Sequence, residues 1–560
     1  MEQVRFLLAI ALSFIVLFVW QNYFLEKPEL PPSEITENQT DLKKQSIEKK
    51  LTQQLSSKSP DNLLPPEEQP LPQKSIENKT PAKDIFVQSP LFDIEFSERG
   101  AAIKNVILLN YTETKDKDSP FKQIVQLNDM GTSLVSFHNQ VIPDLDKVVF
   151  QADTQRSVIK VLTRPEKLSF THILPQGIKI VKTYFIDPTS YIIDVNVSIS
   201  NSTNIPLGDQ LNIIMRRQVP TGIGGYIFEG PAIFLDNQLN EIDVDDILEK
   251  KVFNGTTSWV AIEDRYFATA ILPVGYQSES LQTQMHVQNN IITSSLKLPS
   301  MNIAPGTQKN ISFQLFYGPK SLALLNVLDN NFNEIINFGW FDILARPCLY
   351  LMNMIYQVIP NYGIAIILLT ILIKILFWPL GTKSYKSMND MRKLQPMMKK
   401  LQEKYKDDRQ KMNQELMALY KTYKVNPLGG CLPMVLQIPV FIALYRMLYQ
   451  AIELRHAPFF LWINDLSAPD RLFHFNIDYI PLMEKPYGIP VLTIIMGATM
   501  LIQQKMSPAP GDPAQAKMMM FLPIVFTFIF INFPAGLVLY WLINNVASIL
   551  QQYYINKTNL

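Results

Sequence analysis

Five apolar runs dominate the C-terminal part of the chain: Tyr362 to Leu380, Leu428 to Ala451, Tyr487 to Gln503, Met518 to Phe533 and Ala535 to Leu550, none of which contains Asp or Glu. At a helical rise of about 1.5 Å per residue, segments of this length cross or nearly cross a hydrocarbon layer about 30 Å thick. Lipid leaves no partner for an open backbone, so such segments must be helical. A sixth run, Phe6 to Leu25, carries no charge and ends in Trp20-Gln21-Asn22-Tyr23-Phe24-Leu25. It lacks the small-residue site of a cleavable signal and reads as an uncleaved anchor. Asn532-Phe533-Pro534-Ala535-Gly536 is too short to link domains, which makes the last two runs a tight helical hairpin.

Charge sets the orientation. Only 18% of the 560 residues are charged and the formal net charge is +1, which disfavours a purely cytosolic enzyme and gives no reason to expect direct nucleic-acid binding. Between Thr382 and Lys424, however, twelve Lys and Arg face five Asp and Glu, whereas Glu453 to Lys485 has three basic and five acidic residues. The positive-inside rule makes the first of these loops cytoplasmic. Counting spans in both directions puts the N- and C-termini in the cytoplasm and the residues before the second span outside it.

Those outer residues fall into three parts. Residues 26–84 are rich in Pro, Glu, Gln, Lys and Ser, and read as a flexible linker. From Ile85 the period changes to two: Ile193, Val195, Val197 and Ile199 alternate with Asp194, Asn196, Ser198 and Ser200, the pattern of a half-buried strand. Similar short runs with intervening turns extend to residue 320 and predict an all-β sandwich. Ser321 to Tyr350 then reads as an amphipathic helix with Leu324, Leu328, Phe332, Ile335 and Ile336 on one face. It is either an interfacial helix lying on the membrane or an ordinary surface helix of the β domain.

Lys374 is the only charged residue of the second span. A buried membrane lysine costs about 2.5 to 3.5 kcal/mol, so it must face a hydrated cavity or snorkel to the headgroups. Thr370 lies one turn before it, and Gln437 is deep in the third span; together they could line such a cavity. Arg446, close to the outer end of that span, reads as a snorkelling side chain. The absence of carboxylates from the five spans argues against a proton or sodium relay.

In the basic loop, Met391, Leu394, Met398, Leu401 and Tyr405 step by three and four, as do Met412, Leu416, Leu419 and Tyr423 after Asp407-Asp408. This predicts an antiparallel hairpin over 382–424 with an Asp-capped turn, kinked or restarted at Pro396. It is either a solvated topological device or, through its methionines, a surface for varied apolar partners. The five histidines have no metal-ligand spacing, Cys348 and Cys431 fall at opposite membrane faces, and no phosphate loop, G-x-S-x-G or H-E-x-x-H motif is present.

The run Lys424-Val425-Asn426-Pro427-Leu428-Gly429-Gly430-Cys431-Leu432-Pro433, followed by Gln437-Ile438-Pro439-Val440-Phe441 and Glu453-Leu454-Arg455, closely resembles the YidC family of bacterial membrane protein insertases. So do Gln504-Lys505-Met506-Ser507-Pro508 and Phe533-Pro534-Ala535-Gly536-Leu537-Val538-Leu539-Tyr540. The resemblance implies an α-helical polytopic membrane protein of six transmembrane helices, five of them forming a core around a hydrophilic groove, plus an extracytoplasmic, periplasmic β-supersandwich. The parts are then an anchor at 1–25, the linker at 26–84, the β domain at 85–320, the amphipathic helix at 321–350 and the insertase core at 351–560.

The implied function is insertion and folding of new inner-membrane proteins without nucleotide hydrolysis, cofactor or enzymatic activity. The family's groove cation, normally Arg, is here Lys374, which keeps the charge but loses the bidentate fork. Thr370, Gln437, Tyr540 and Trp541 match the groove, and Met391, Met398, Asp407, Asp408 and Met412 the receiving hairpin. Implied partners are nascent membrane proteins, the bilayer and the Sec translocon, SecYEG with SecDF. The ribosome is a further candidate, although the tail after Leu550 has one basic residue, Lys557. The alternatives are a secondary transporter or channel and, for the β domain, a glycan-processing enzyme.

Overall fold

A computed structural model describes residues 81–560 apart from 128–130, 140–141, 143, 221–226, 329, 407, 424, 426–431, 476, 478–479, 481–482, 508–512 and 559–560. The expected anchor, most of the linker, Asp407 and Cys431 lie outside the described residues.

Strands run from Asp84–Gln88 to Gln308–Pro319 in two large sheets. The five-stranded sheet has the order Phe121–Gln126, Ala102–Thr112, Phe92–Ser97, Asp84–Gln88, Val158–Lys160. The second, of thirteen strands, is organised around Ile192–Asn201, which pairs antiparallel with Ile178–Ile186 on one side and Gln308–Pro319 on the other. Its alternation is the one written in the sequence: Ile193, Val195, Val197 and Ile199 are buried, while Asp194 is exposed and its carboxylate accepts from Gln314 Nε2 at 2.8 Å. The two sheets meet through aromatic rings, with Phe96 edge-on to Tyr184 at 4.8 Å and tilted against Phe170 at 6.1 Å. Aromatic pairs of this geometry add about 0.5 to 1.5 kcal/mol each beyond the area they bury.

The helix expected over Ser321–Tyr350 is instead a broken connection. A single turn at Leu322–Leu325 is followed by two short 3₁₀ turns, Phe332–Ile335 and Gly339–Phe341, before a long helix α1 begins at Asp342 and runs to Val358. Asn330 and Asn331 have φ of +68° and +55°, which no continuous helix accommodates. Phe332 and Ile335 are buried, and Phe332 packs edge-on to Trp259 and Phe316. The apolar spacing reports burial under the β sheet, not a helical face.

The remaining helices are α2 (Tyr362–Leu376), α3 (Trp378–Lys404), α4 (Arg409–Thr422), α5 (Leu432–Gln450), α6 (Val491–Met506), α7 (Pro513–Phe530) and α8 (Ala535–Thr558). Among the described residues no single helix is both long and apolar enough to cross a bilayer; α2 and α3 meet that test only together and are bent by 65° at their junction. The bend falls at Phe377 because Pro379 opens the next helix, where its missing N–H costs nothing. α3 then continues through Pro396 without the restart that was one of the two expectations there.

Hydrogen bonds between helices fix their directions. Lys374 reaches Asn544 and Ser548 while Trp378 meets Gln551, so α2 and α8 run parallel. Thr499 with Asn545 and Met506 with Gln552 make α6 parallel to them as well. Gln437 with Asn544 and Phe441 with Tyr540 make α5 antiparallel. The first amides of α8 are satisfied from outside the helix, Ala535 donating to the Ala468 carbonyl at 2.8 Å and Gly536 to that of Leu466 at 2.9 Å.

The strand-rich part docks where α5 ends. Arg265 Nε donates to the Tyr449 carbonyl at 2.7 Å with its guanidinium 3.6 Å from the Tyr449 ring centre, and Arg455 donates to the carbonyls of Thr112 and Glu113. The basic hairpin leaves from the C-terminal end of α2, at the opposite end of the bundle.

Candidate functional site

α2 starts under an Asn361 cap, whose side chain accepts from the Ile364 amide at 3.1 Å. Its face toward the other helices buries Ala365, Ile366, Leu369 and Thr370, while Ile371, Leu372, Ile375 and Leu376 are exposed. Lys374 lies one turn from the end on the inner side. Its ammonium donates to Ser548 Oγ at 2.6 Å and Asn544 Oδ1 at 3.4 Å. Gln437 Nε2 of α5 donates to the same Asn544 oxygen at 3.1 Å. Ser548 in turn donates to the Asn544 carbonyl at 2.7 Å.

The result is a cation held by neutral groups: among the described residues no carboxylate forms a salt bridge with Lys374. A partly buried ammonium in this setting keeps unspent attraction for an incoming anion.

Lys374 and Gln437 are thus brought together, but through Asn544, which sequence reasoning missed. Asn544, Asn545, Ser548, Gln551 and Gln552 form a polar ladder along α8. Asn545 Nδ2 reaches Thr499, Gln551 Nε2 reaches the Trp378 carbonyl at 3.0 Å, and Gln552 Nε2 reaches the Met506 carbonyl at 3.0 Å. The signal was present as polar residues spaced i, i+4 and i+7 in an otherwise apolar run.

The other expected groove residues sit differently. Thr370 is buried with its hydroxyl donating to the Ile366 carbonyl of its own helix at 2.6 Å. Tyr540 and Trp541 join an aromatic cluster: Phe441 stacks on Tyr540 at 6.3 Å, and Trp541 is edge-on to Phe441 at 4.5 Å and to Phe530 at 5.0 Å. Arg446 does not run free into solvent; its NH1 donates to the Phe338 carbonyl at 3.2 Å, next to Gly339.

In the hairpin, Asp408 caps α4, its carboxylate accepting from the Lys411 amide at 2.9 Å. Met398 is buried with Leu394 in the seam between α3 and α4, its sulfur accepting from the Tyr420 hydroxyl at 3.8 Å. Met391 and Met412 are half-buried, and the methionines most open to solvent here are Met397 and Met417.

Comparison with known proteins bears on both halves. A family model described as 60Kd inner membrane protein matches residues 354–560, and one described as YidC periplasmic domain matches residues 84–351. The membrane protein insertase YidC of Syntrophus aciditrophicus is 39% identical over 559 residues, covering 98% of this chain and 99% of that one. The chain belongs to the YidC family. The YidC of Pelobacter propionicus is 42% identical over 483 residues, 85% of this chain and 87% of that one. A crystal structure of an active YidC insertase with its first transmembrane domain resolved aligns over 84% of this chain and 92% of that one, at 18% identity and a TM-score of 0.36. YidC family membership makes this an inner-membrane protein whose sheet-rich residues are its periplasmic domain.

Proposed function

We propose that the chain is a membrane protein insertase and chaperone that works through an intramembrane groove centred on Lys374, without nucleotide. One observation carries the reading: a lysine on the inner face of α2 that, among the described residues, is bound by the neutral side chains of Asn544 and Ser548, with Gln437 on the same acceptor. An acidic flank of a nascent segment is drawn to that ammonium, which shortens the apolar distance it must cross. The attached apolar segment then moves into lipid, driven by burial of its CH₂ groups at about 0.8 kcal/mol each. The exposed Met397 and Met417 of the hairpin supply an adaptable first contact.

In this reading the core and anchor make six spans with both termini cytoplasmic, and the protein performs no covalent chemistry. Its partners are nascent membrane proteins, the bilayer and the Sec translocon, SecYEG with SecDF. The parallel directions of α2, α6 and α8 and the opposite direction of α5 support a bundle threaded back and forth through one layer.

The test uses purified protein in sealed liposomes, a single-span substrate with an acidic N-terminal tail, and protease protection of that tail. One charge pair is worth about 1 kcal/mol even at high dielectric, so Lys374→Ala lowers protection roughly fivefold and Lys374→Arg keeps it. Equal protection in all three proteins removes the electrostatic role. No protection with the unaltered protein means that a partner is required or that solute flux must be measured instead.

A further inference from the structure

Three separate elements bring bulky apolar side chains to the surface at one level of the molecule. Trp340 is 98% exposed just before α1, with Ile343 on the first turn behind it. In the loop after α5, Leu461 is 85% exposed beside Phe460. In the small hairpin formed by Leu472–Phe475 and Tyr487–Ile489, Phe473 is 67% exposed, and Phe475 is open as well.

The level follows from what each is tied to. The Phe338 carbonyl, two residues before Trp340, receives Arg446 one turn from the end of α5. The Phe459 ring lies against Gly363 in the first turn of α2. The Phe473 carbonyl faces Gly488, three residues before α6 begins. All three therefore protrude where the helices end on the side of the β sheets. In the first turns of α6, which follows the hairpin, Ile494 and Ile495 are also exposed.

The outward aim is built into the backbone. Leu461 and Phe473 hold φ of +57° and +56°, a region bulky residues rarely occupy. Around Leu461 the chain closes on itself, Phe459 N donating to the Ile463 carbonyl at 2.9 Å and Ile463 N to that of Phe460 at 3.2 Å. Trp462 turns inward, its indole N–H donating to Asp470, whose carboxylate also accepts from the Leu492 amide at the start of α6. With Phe459 against Gly363 and Trp462 tied to Asp470, Leu461 is forced out together with Phe460.

A protein partner covers one contiguous patch. Three patches on different elements at one level fit a planar partner, and the helices below them belong to an inner-membrane family. We propose that Leu461 and Phe473, with Phe460, Phe475, Trp340 and Ile343, seat in the boundary between headgroups and acyl chains of the outer leaflet. They fix the depth of the bundle and hold the loop that carries the β region.

The test places a nitroxide at Leu461→Cys, Phe473→Cys or Phe475→Cys in full-length protein carrying Cys348→Ala and Cys431→Ala, reconstituted in liposomes. Collision with oxygen, which concentrates in lipid, is compared with collision with a water-soluble nickel chelate. Thr163→Cys on the β region is the aqueous reference and Phe521→Cys on α7 the lipid reference. The expected oxygen-to-nickel ratio at all three positions is severalfold above that at Thr163 and below that at Phe521. A ratio equal to that at Thr163 overturns the proposal. So does shielding from both reagents, which would mean a protein partner, or immersion at only one of the two loops.

Discussion

At the scale of single residues, the β region contains a second lysine that has given up water. Lys182 is fully buried in the strand Ile178–Ile186, its ammonium donating to the carbonyls of Ala101, at 3.1 Å, and Ser133. Ala101 and Ser133 have φ of +46° and +57°, so two left-handed residues aim their oxygens at one nitrogen. Burial pushes Lys182 down to about 7. A lysine lowered on folding binds fewer protons in the native state than in the unfolded chain between about pH 7 and its ordinary value of 10.5. Stability is therefore gained as pH rises through that window and is lost as pH falls toward 7, with a slope of at most about 1.4 kcal/mol per pH unit. Urea unfolding of the β region at pH 7, 8 and 9 should show this rise, and Lys182→Met should flatten it. An unchanged slope in the variant would place the titration elsewhere. Lys374 differs in kind: its acceptors are side chains at the inner face of a helix bundle, not backbone carbonyls in a sealed core.

At the scale of elements, the cap on α4 is the clearest local rule that folding obeys. Asp408→Ala should cost about 1 kcal/mol of hairpin stability and speed amide exchange at Lys411 and Met412 roughly fivefold, while Asp408→Asn keeps most of the protection. That cap was legible in the sequence, as were the strand alternation around Ile193 and the apolar runs that became α2, α6 and α8. Periodicity failed where two physical causes give one pattern. Leu324, Phe332 and Ile335 repeat as a helix face would, yet Phe332 and Ile335 are spaced for burial in short turns, and Asn330-Asn331 carries the left-handed break. Met398 reads as a surface methionine because the a/d positions of a hairpin seam and of a receiving face have the same spacing. Lys374 and Gln437 could be placed in one groove from sequence; the spacing of Asn544, Ser548 and Gln551 marks a polar face of α8 but does not say what that face meets. Only the register of α8 against α2 makes them partners.

At the scale of the whole molecule, a few arginines join the sheets to the helices. Arg455 donates to the Thr112 and Glu113 carbonyls and lies 5.4 Å from the Phe267 ring centre, and Arg265 holds the Tyr449 carbonyl. Hydrogen bonds to a charged group are worth about 1.5 to 3 kcal/mol, so Arg455→Ala should loosen the junction without unfolding either side. Spin-label distances between Thr163→Cys and Phe521→Cys should broaden in that variant while helix content stays constant; a distribution as narrow as before would assign the junction to other contacts. At the other end of the bundle, the 65° bend at Phe377 comes three residues after Lys374. α3 beyond it is 27 residues long, a rod of about 40 Å. Pivoted at that elbow, it is a lever whose short arm ends at the lysine: a displacement of roughly 3.5 Å at its far tip turns the elbow by only about 5°. A displacement of the hairpin tip is therefore geared down before it reaches the ammonium. The contact on which that reduced motion acts is the one between the Lys374 ammonium and Ser548 Oγ of α8, at 2.6 Å.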